Sequence, residues 1–307
     1  MKPDEILRVY KYDVITRFRE NAILPAYKGA TLRGAFGIAF KNSICVNKKI
    51  QDCNGCLISN KCIYKQIFNT EVISDEKSQN FPQPFILEPP YDRQTFYGKN
   101  DYLKFGLIII DKMVDYFPYF VLTFKLMGEK GIGIRKKRSE FDLIKIKNRT
   151  RIVFDGKTQN IKDYRKPVKI SIPKIKQNLL TLNFISPTRI KIEGELINGL
   201  PFVLFIKSLL RRISLLKKNY SDNKNFKIDY DALLEKACNI QTVSSSLRWY
   251  DWQRFSSRQK TTMKLGGFTG QITYSGEIQE FIPYIKLGEI IHIGKNTSFG
   301  LGKYVII

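Results

Sequence analysis

One histidine, His292, stands in a sequence of 307 residues, two positions before the first glycine of IHIGKNTSFGLGKYVII, Ile291–Ile307. Imidazole is the side chain that exchanges a proton near neutral pH without help from its surroundings, so His292 is the one ready-made proton-transfer group. Gly294, Gly300 and Gly302 let backbone N–H groups approach a phosphate, and Lys295, Asn296, Thr297, Ser298 and Lys303 add cations, an amide and hydroxyls. The bland reading stands beside this one: a glycine-softened turn before a last strand, with His292 capping a helix between Ile291 and Ile293. A nucleotide-binding P-loop is excluded, because G-x-x-x-x-G-K-[ST] is absent and Lys303 runs into Tyr304 and a strand.

A second constellation is Cys45, Cys53, Cys56 and Cys62, spaced C-x7-C-x2-C-x5-C. The C-x-x-C turn puts two sulfurs on one side, and four thiolates suit tetrahedral zinc or an iron–sulfur cluster. The alternatives are reduced thiols or two disulfides, the latter disfavoured in a reducing cytosol. The expected role is structural, a clip on the loop after the first helix. Cys238 stands apart and reads as a small core residue.

Three basic clusters point to a polyanion. Tyr27, Lys28, Arg33, Lys41, Lys48 and Lys49 surround the first predicted helix, where Arg33 and Lys41 fall within about 80° of each other. Arg135, Lys136, Lys137 and Arg138 follow a G-x-G step and suit phosphate contact. Arg248, Arg254, Arg258 and Lys260 interleave with Trp249, Tyr250, Trp252 and Phe255, a pattern in which rings stack on bases while cations hold phosphates. The net charge of +24 supports nucleic acid as the partner. No run approaches the roughly 20 apolar residues that span a bilayer, and the start has no signal-peptide core. The expectation is a soluble, cytoplasmic chain with no membrane partner.

These groups need a scaffold, and the chain spells one twice. DYFPYF (Asp115–Phe120) leads to GEKGIGIRK, and EFIPYI (Glu280–Ile285) leads to GKNTSFGLGKY. Proline suits a helix start and glycine a helix stop, so each copy reads as helix, glycine-rich loop, strand. Strand-like YLKFGLIIID (Tyr102–Asp111) and GFTGQITYSG (Gly267–Gly276) precede these helices. An earlier strand and helix open each half, the second half with Leu179–Ile192 and Pro201–Lys218. Each half is β-α-β-β-α-β, so the predicted class is α+β, two tandem ferredoxin-like (RRM-like) domains with glycine-rich loops. The expected division is 1–160, with a Cys-rich insertion at 45–62, and 161–307.

On LPAYKGATLRGAFGIAFK (Leu24–Lys41), the cysteine cluster running into CIYKQIF, GEKGIGIRKKRSEFDL, WYDWQRFSSRQK and the terminal LGEIIHIGKNTSFGLGKY, the chain resembles the CRISPR precursor-RNA-processing endoribonucleases of the RAMP superfamily. The resemblance covers nearly the whole chain. It implies tandem ferredoxin-like folds that bind CRISPR repeat RNA and cut it without a catalytic metal, leaving a 2′,3′-cyclic phosphate. It also implies CRISPR effector subunits as partners, and a monomer or homodimer. The family's histidine near the first helix is missing from Ala30–Val46. His292 is therefore expected as general acid, then Tyr27, Lys28, Arg33 and Lys41. The alternative is a RAMP subunit that binds without cutting.

Overall fold

The computed structural model describes residues 3–47, 53, 55–68, 70–74, 77–134, 137–174, 178–192, 195–196, 199–222, 228–251, 253–256, 261–264 and 266–307. It divides into two compact units, Tyr10–Pro167, and Val168–Ile307 joined by Met1–Val9. The division falls a few residues beyond the expected 160/161. The reason is local: Tyr12 Oη donates to the Tyr164 carbonyl at 2.6 Å, Phe117 stacks on Tyr164 at 5.0 Å, and Asn148 Nδ2 donates to the Lys166 carbonyl. Residues 161–167 thus belong to the first unit. Residues 3–9 belong to the second: Val168 N–H donates to the Val9 carbonyl at 2.8 Å, and Lys217 Nζ to the Ile6 carbonyl at 2.9 Å.

The Tyr10–Pro167 unit runs β1 (Val9–Phe18), α1 (Gly29–Ile44), α2 (Ile63–Ile67), β2 (Phe85–Glu88), β3 (Tyr102–Ile110), α3 (Phe117–Lys130), a hairpin of β4 (Ile132–Ile134) and β5 (Lys137–Ser139), β6 (Phe141–Asn148) and β7 (Arg151–Asp155). The sheet order β7-β6-β1-β3-β2 is the ferredoxin-like order with one added edge strand. Alternation along β1 buries Tyr12, Val14, Thr16 and Phe18. Phe36 of α1 sits among Phe40, Phe85, Phe120 and Phe124, each 5.3–5.5 Å away between ring centres. Rings at such spacing contribute beyond the area they bury.

The second unit runs β8 (Leu179–Thr188), α4 (Phe202–Tyr220), α5 (Tyr230–Cys238), β9 (Gln241–Ser245), β10 (Arg248–Tyr250), a hairpin of β11 (Gln253–Ser256) and β12 (Thr261–Lys264), β13 (Gly267–Ser275), α6 (Ile282–Ile291) and β14 (Tyr304–Ile306). Its sheet order is β9-β13-β8-β14, with β10 also pairing with β13. Phe184, Phe202, Phe205, Tyr274 and Tyr304 form the ring cluster of its core.

The duplicated pattern is genuine at the level of the helices. Pro118 and Pro283 open α3 and α6, and both helices stop at positive φ, at Gly131 and at His292. The segments beyond the two helices differ. GIGIRKKRS folds into the β4–β5 hairpin, with Gly133 opposite Arg138, whereas GKNTSFGLGK makes a single 3-10 turn and a clamped loop. Among the described residues no helix is long and apolar enough to cross a membrane.

Candidate nucleic-acid interface

The C-terminal loop is built, residue by residue, against the end of β8. Between Phe184 and Thr188 the ladder of β8 with β13 breaks register, which frees Ser186, Pro187 and Arg189 for the loop. Ser186 Oγ donates to the Gly300 carbonyl and accepts from Lys303 N–H, both at 2.9 Å. Gly302 N–H donates to the Pro187 carbonyl and Lys295 N–H to that of Arg189. Gly294 and Gly302 hold φ of +81° and +77°, and a Cβ on either would meet the carbonyl of Arg189 or Ile293. Glycine is required at both by conformation and by space.

The clamp decides which predicted RNA-binding residues face solvent. Lys295 and Asn296 are exposed and Gly294 and Lys303 half-buried, while Thr297, Ser298, Gly300 and Gly302 are buried. The loop offers one cation and one amide at its tip rather than a row of hydroxyls.

His292 lies inside this arrangement, with 0% of its surface exposed. Its N–H closes the last turn of α6 on the Gly288 carbonyl, and its Nδ1 is 3.0 Å from the Leu301 carbonyl. The ring braces the loop from within and presents no nitrogen at the surface, which stands against the expectation of His292 as general acid and with the reading of it as a helix cap. Arg212 braces the same end: its Nε donates to the Ile291 carbonyl at 3.0 Å. Burial draws its pKa down to about 9. It keeps its charge at neutral pH, beside the negative end of α6.

Around α1 the predicted cations divide. Lys28 is fully buried, with Nζ 3.0 Å from Asp92 Oδ1 and 5.8 Å from the Tyr97 ring centre. It anchors the 89–95 loop to the start of α1. Arg33 lies with its guanidinium 4.0 Å over Phe68 and donates to Gln83 Oε1. Lys41 is half-buried in the last turn of α1. Desolvation pushes the pKa of the half-buried Tyr27 phenol above its usual value. Glu88 reaches Lys11 Nζ at 2.7 Å on the same sheet, beside Gly106, where a Cβ would meet the Glu88 carboxylate.

Lys137 and Arg138 are exposed on β5, and the β4–β5 hairpin packs against α1. Arg135 and Lys136, which fall between these strands in sequence, lie outside the described residues, as do Lys48, Lys49, Trp252, Arg258 and Lys260. Arg254 lies on β11. Arg248, Trp249 and Tyr250 are exposed on β10 at the sheet edge. Sequence reasoning missed Ser186, Arg189 and Asp92. The first two sat unmarked in a strand-like run, and only the broken register of β8 reveals them.

Cys45, Cys53, Cys56 and Cys62 are free, half-buried thiols that line one pocket with Val46, Ile58 and Tyr64. The donor set fits zinc or an iron–sulfur cluster. As they stand, no three histidine, cysteine or carboxylate groups among the described residues are close enough to share an ion, so the four would draw inward to hold one.

Two family models match the chain: AF_1859_N, described as an N-terminal domain, over residues 7–166, and CRISPR-associated endoribonuclease Cas6 over residues 182–304. No curated protein matches. Among solved structures, the chain is similar to a Cas6 product complex at 16% identity and TM-score 0.54, covering 97% of this chain and 99% of that one. It is similar to Thermus thermophilus Cas6 at 14% identity and TM-score 0.53, covering 98% and 99%. It also matches a chain of a partial Cas6-RT-Cas1–Cas2 complex at 14% identity and TM-score 0.58, covering 98% of this chain and 46% of that one. At these identities the likeness to solved structures is one of fold.

Proposed function

We propose that this chain, whose residues 182–304 match the CRISPR-associated endoribonuclease Cas6 model, binds the repeat of a CRISPR transcript and cuts it without a metal. The 2′-hydroxyl gives up its proton to water, its oxygen attacks the adjacent phosphorus, the bond to the 5′-oxygen breaks as that oxygen takes up a proton, and the products carry a 2′,3′-cyclic phosphate and a 5′-hydroxyl. The observation that carries the binding reading is the clamped C-terminal loop, which holds Lys295 and Asn296 outward on a backbone fixed by β8.

With the only imidazole sealed, the chemistry falls to the first-helix cluster, where Arg33 and Lys41 would stabilise charge on the pentavalent phosphorus. The Tyr27 phenol, half-buried and protonated at neutral pH as any phenol is, would donate toward the departing 5′-oxygen and cannot serve as base. General acid–base catalysis by a positioned side chain is worth about 10²–10⁴-fold, so slow single-turnover cutting is expected. The second reading, a RAMP subunit that binds RNA without cutting, is favoured by the burial of His292.

The cysteine pocket is proposed as a structural metal site, zinc first, that fixes the insertion after α1. CRISPR protein partners are part of the proposal as well, given the similarity to part of a chain in a Cas6-RT-Cas1–Cas2 complex.

The test is incubation of purified protein with a cognate repeat RNA and EDTA. A single scission whose upstream fragment ends in an acid-labile cyclic phosphate supports the enzyme. Retention of intact RNA selects the binding subunit, and an absolute need for a divalent ion sinks the metal-free mechanism.

A further inference from the structure

Trp249 is 41% exposed on the edge strand β10, yet its orientation is fixed. Its indole Nε1 donates to Asp251 Oδ1 at 2.9 Å. That is the ring's one polar atom, so nothing further is needed to hold it and its face is left to other uses. Gly266 makes room, since a Cβ there would run into the Asp251 carboxylate and the Trp249 nitrogen. The carbonyl of Gly266 in turn accepts from the Arg189 guanidinium, which the Asp251 charge also favours. Arg189 faces two ways: its own carbonyl accepts from Lys295 N–H of the glycine-rich loop at 2.8 Å. One residue thus ties the exposed cation of the loop to the support of the exposed ring, within a single unit.

We infer that Trp249 is a stacking platform for one unpaired nucleobase, with Asp251, Gly266 and Arg189 as its positioning residues and the C-terminal loop holding the neighbouring phosphate. This deepens the RNA-binding reading and rests on it. A pre-set ring loses little freedom on binding, and an aromatic face takes any base. Arg248, exposed beside it, suits the backbone.

The chain has two tryptophans, so in a Trp252→Phe protein Trp249 is the sole indole emitter. Single-stranded oligoadenylate is compared with an abasic ribose-phosphate oligomer of the same length. Stacking predicts quenched Trp249 emission with oligoadenylate and little change with the abasic oligomer. Trp249→Ala should weaken oligoadenylate binding on the order of tenfold and leave the abasic oligomer unaffected, and Trp249→Phe should keep most of the affinity. Arg189→Ala should shift Trp249 emission in the free protein and weaken oligoadenylate. Binding of oligoadenylate with unchanged Trp249 emission overturns the platform alone. Equal losses for both oligomers in Trp249→Ala show a scaffold residue and also overturn it. Failure of the unsubstituted protein to bind either oligomer overturns the RNA reading as well.

Discussion

At the scale of single residues, type and location tell different stories. His292 was the obvious chemical candidate by type, and the fold seals it beneath Leu301. His292→Ala should leave single-turnover cleavage per folded molecule within a few-fold while lowering the melting temperature. A loss of 10²-fold or more at unchanged affinity would restore it as a proton-transfer group. Tyr27→Phe should do the opposite, slowing cleavage with little change in RNA affinity, and equal rates would remove Tyr27 from the mechanism. The sequence showed which side chains could do chemistry. It could not show which are sealed, because the ion pair of Lys28 with Asp92 spans 64 positions and that of Lys11 with Glu88 joins strands far apart in sequence. Burial is a property of such distant pairings, and no local spacing encodes it.

At the scale of elements, glycine separates what is shape from what is surplus. Gly302→Ala should destabilise by about 1–3 kcal/mol, because φ of +77° and the Ile293 carbonyl both oppose a Cβ. RNA affinity should fall with it. Gly34→Ala, mid-helix in α1 with nothing near its missing Cβ, should stabilise by roughly 0.5–1 kcal/mol. Thermal unfolding of the two variants checks both signs. Replacing Arg135–Arg138 with alanine should flatten the salt dependence of RNA binding by roughly 0.7 in log–log slope for each phosphate no longer neutralised. An unchanged slope would move the phosphate-binding cations elsewhere. The elements themselves were legible: a strand was expected to open the first half, where β1 lies, and Pro118, Gly131 and Pro283 punctuated α3 and α6. The hairpin that replaces the first glycine loop was not, since its pairing of Gly133 with Arg138 is set by strand contact rather than by composition.

For the whole molecule, two linkages reach beyond any one element. If the cysteine pocket holds zinc, protein purified without chelator should carry about one zinc per chain. Cys53→Ser should then lose it and melt earlier, and metal-free protein of full stability would end the proposal. Tyr12 in one unit and Tyr274 and Tyr304 in the other have phenol pKa values pushed up by burial. Each holds its proton longer folded than unfolded. Stability is therefore full below the ordinary phenol pKa of about 10 and falls above it, by up to about 1.4 kcal/mol per pH unit for each phenol. Melting scans from pH 9 upward test this. The pairing of Lys217 with the Ile6 carbonyl, 211 positions away, has a consequence in time. A ribosome adds about 5–20 residues per second, so the residues just before the first strand wait on the order of 10–40 s for the helix that receives them. Through that interval the nascent chain can complete the Tyr10–Pro167 unit while residues 3–9 stay unclaimed, a natural opening for a chaperone.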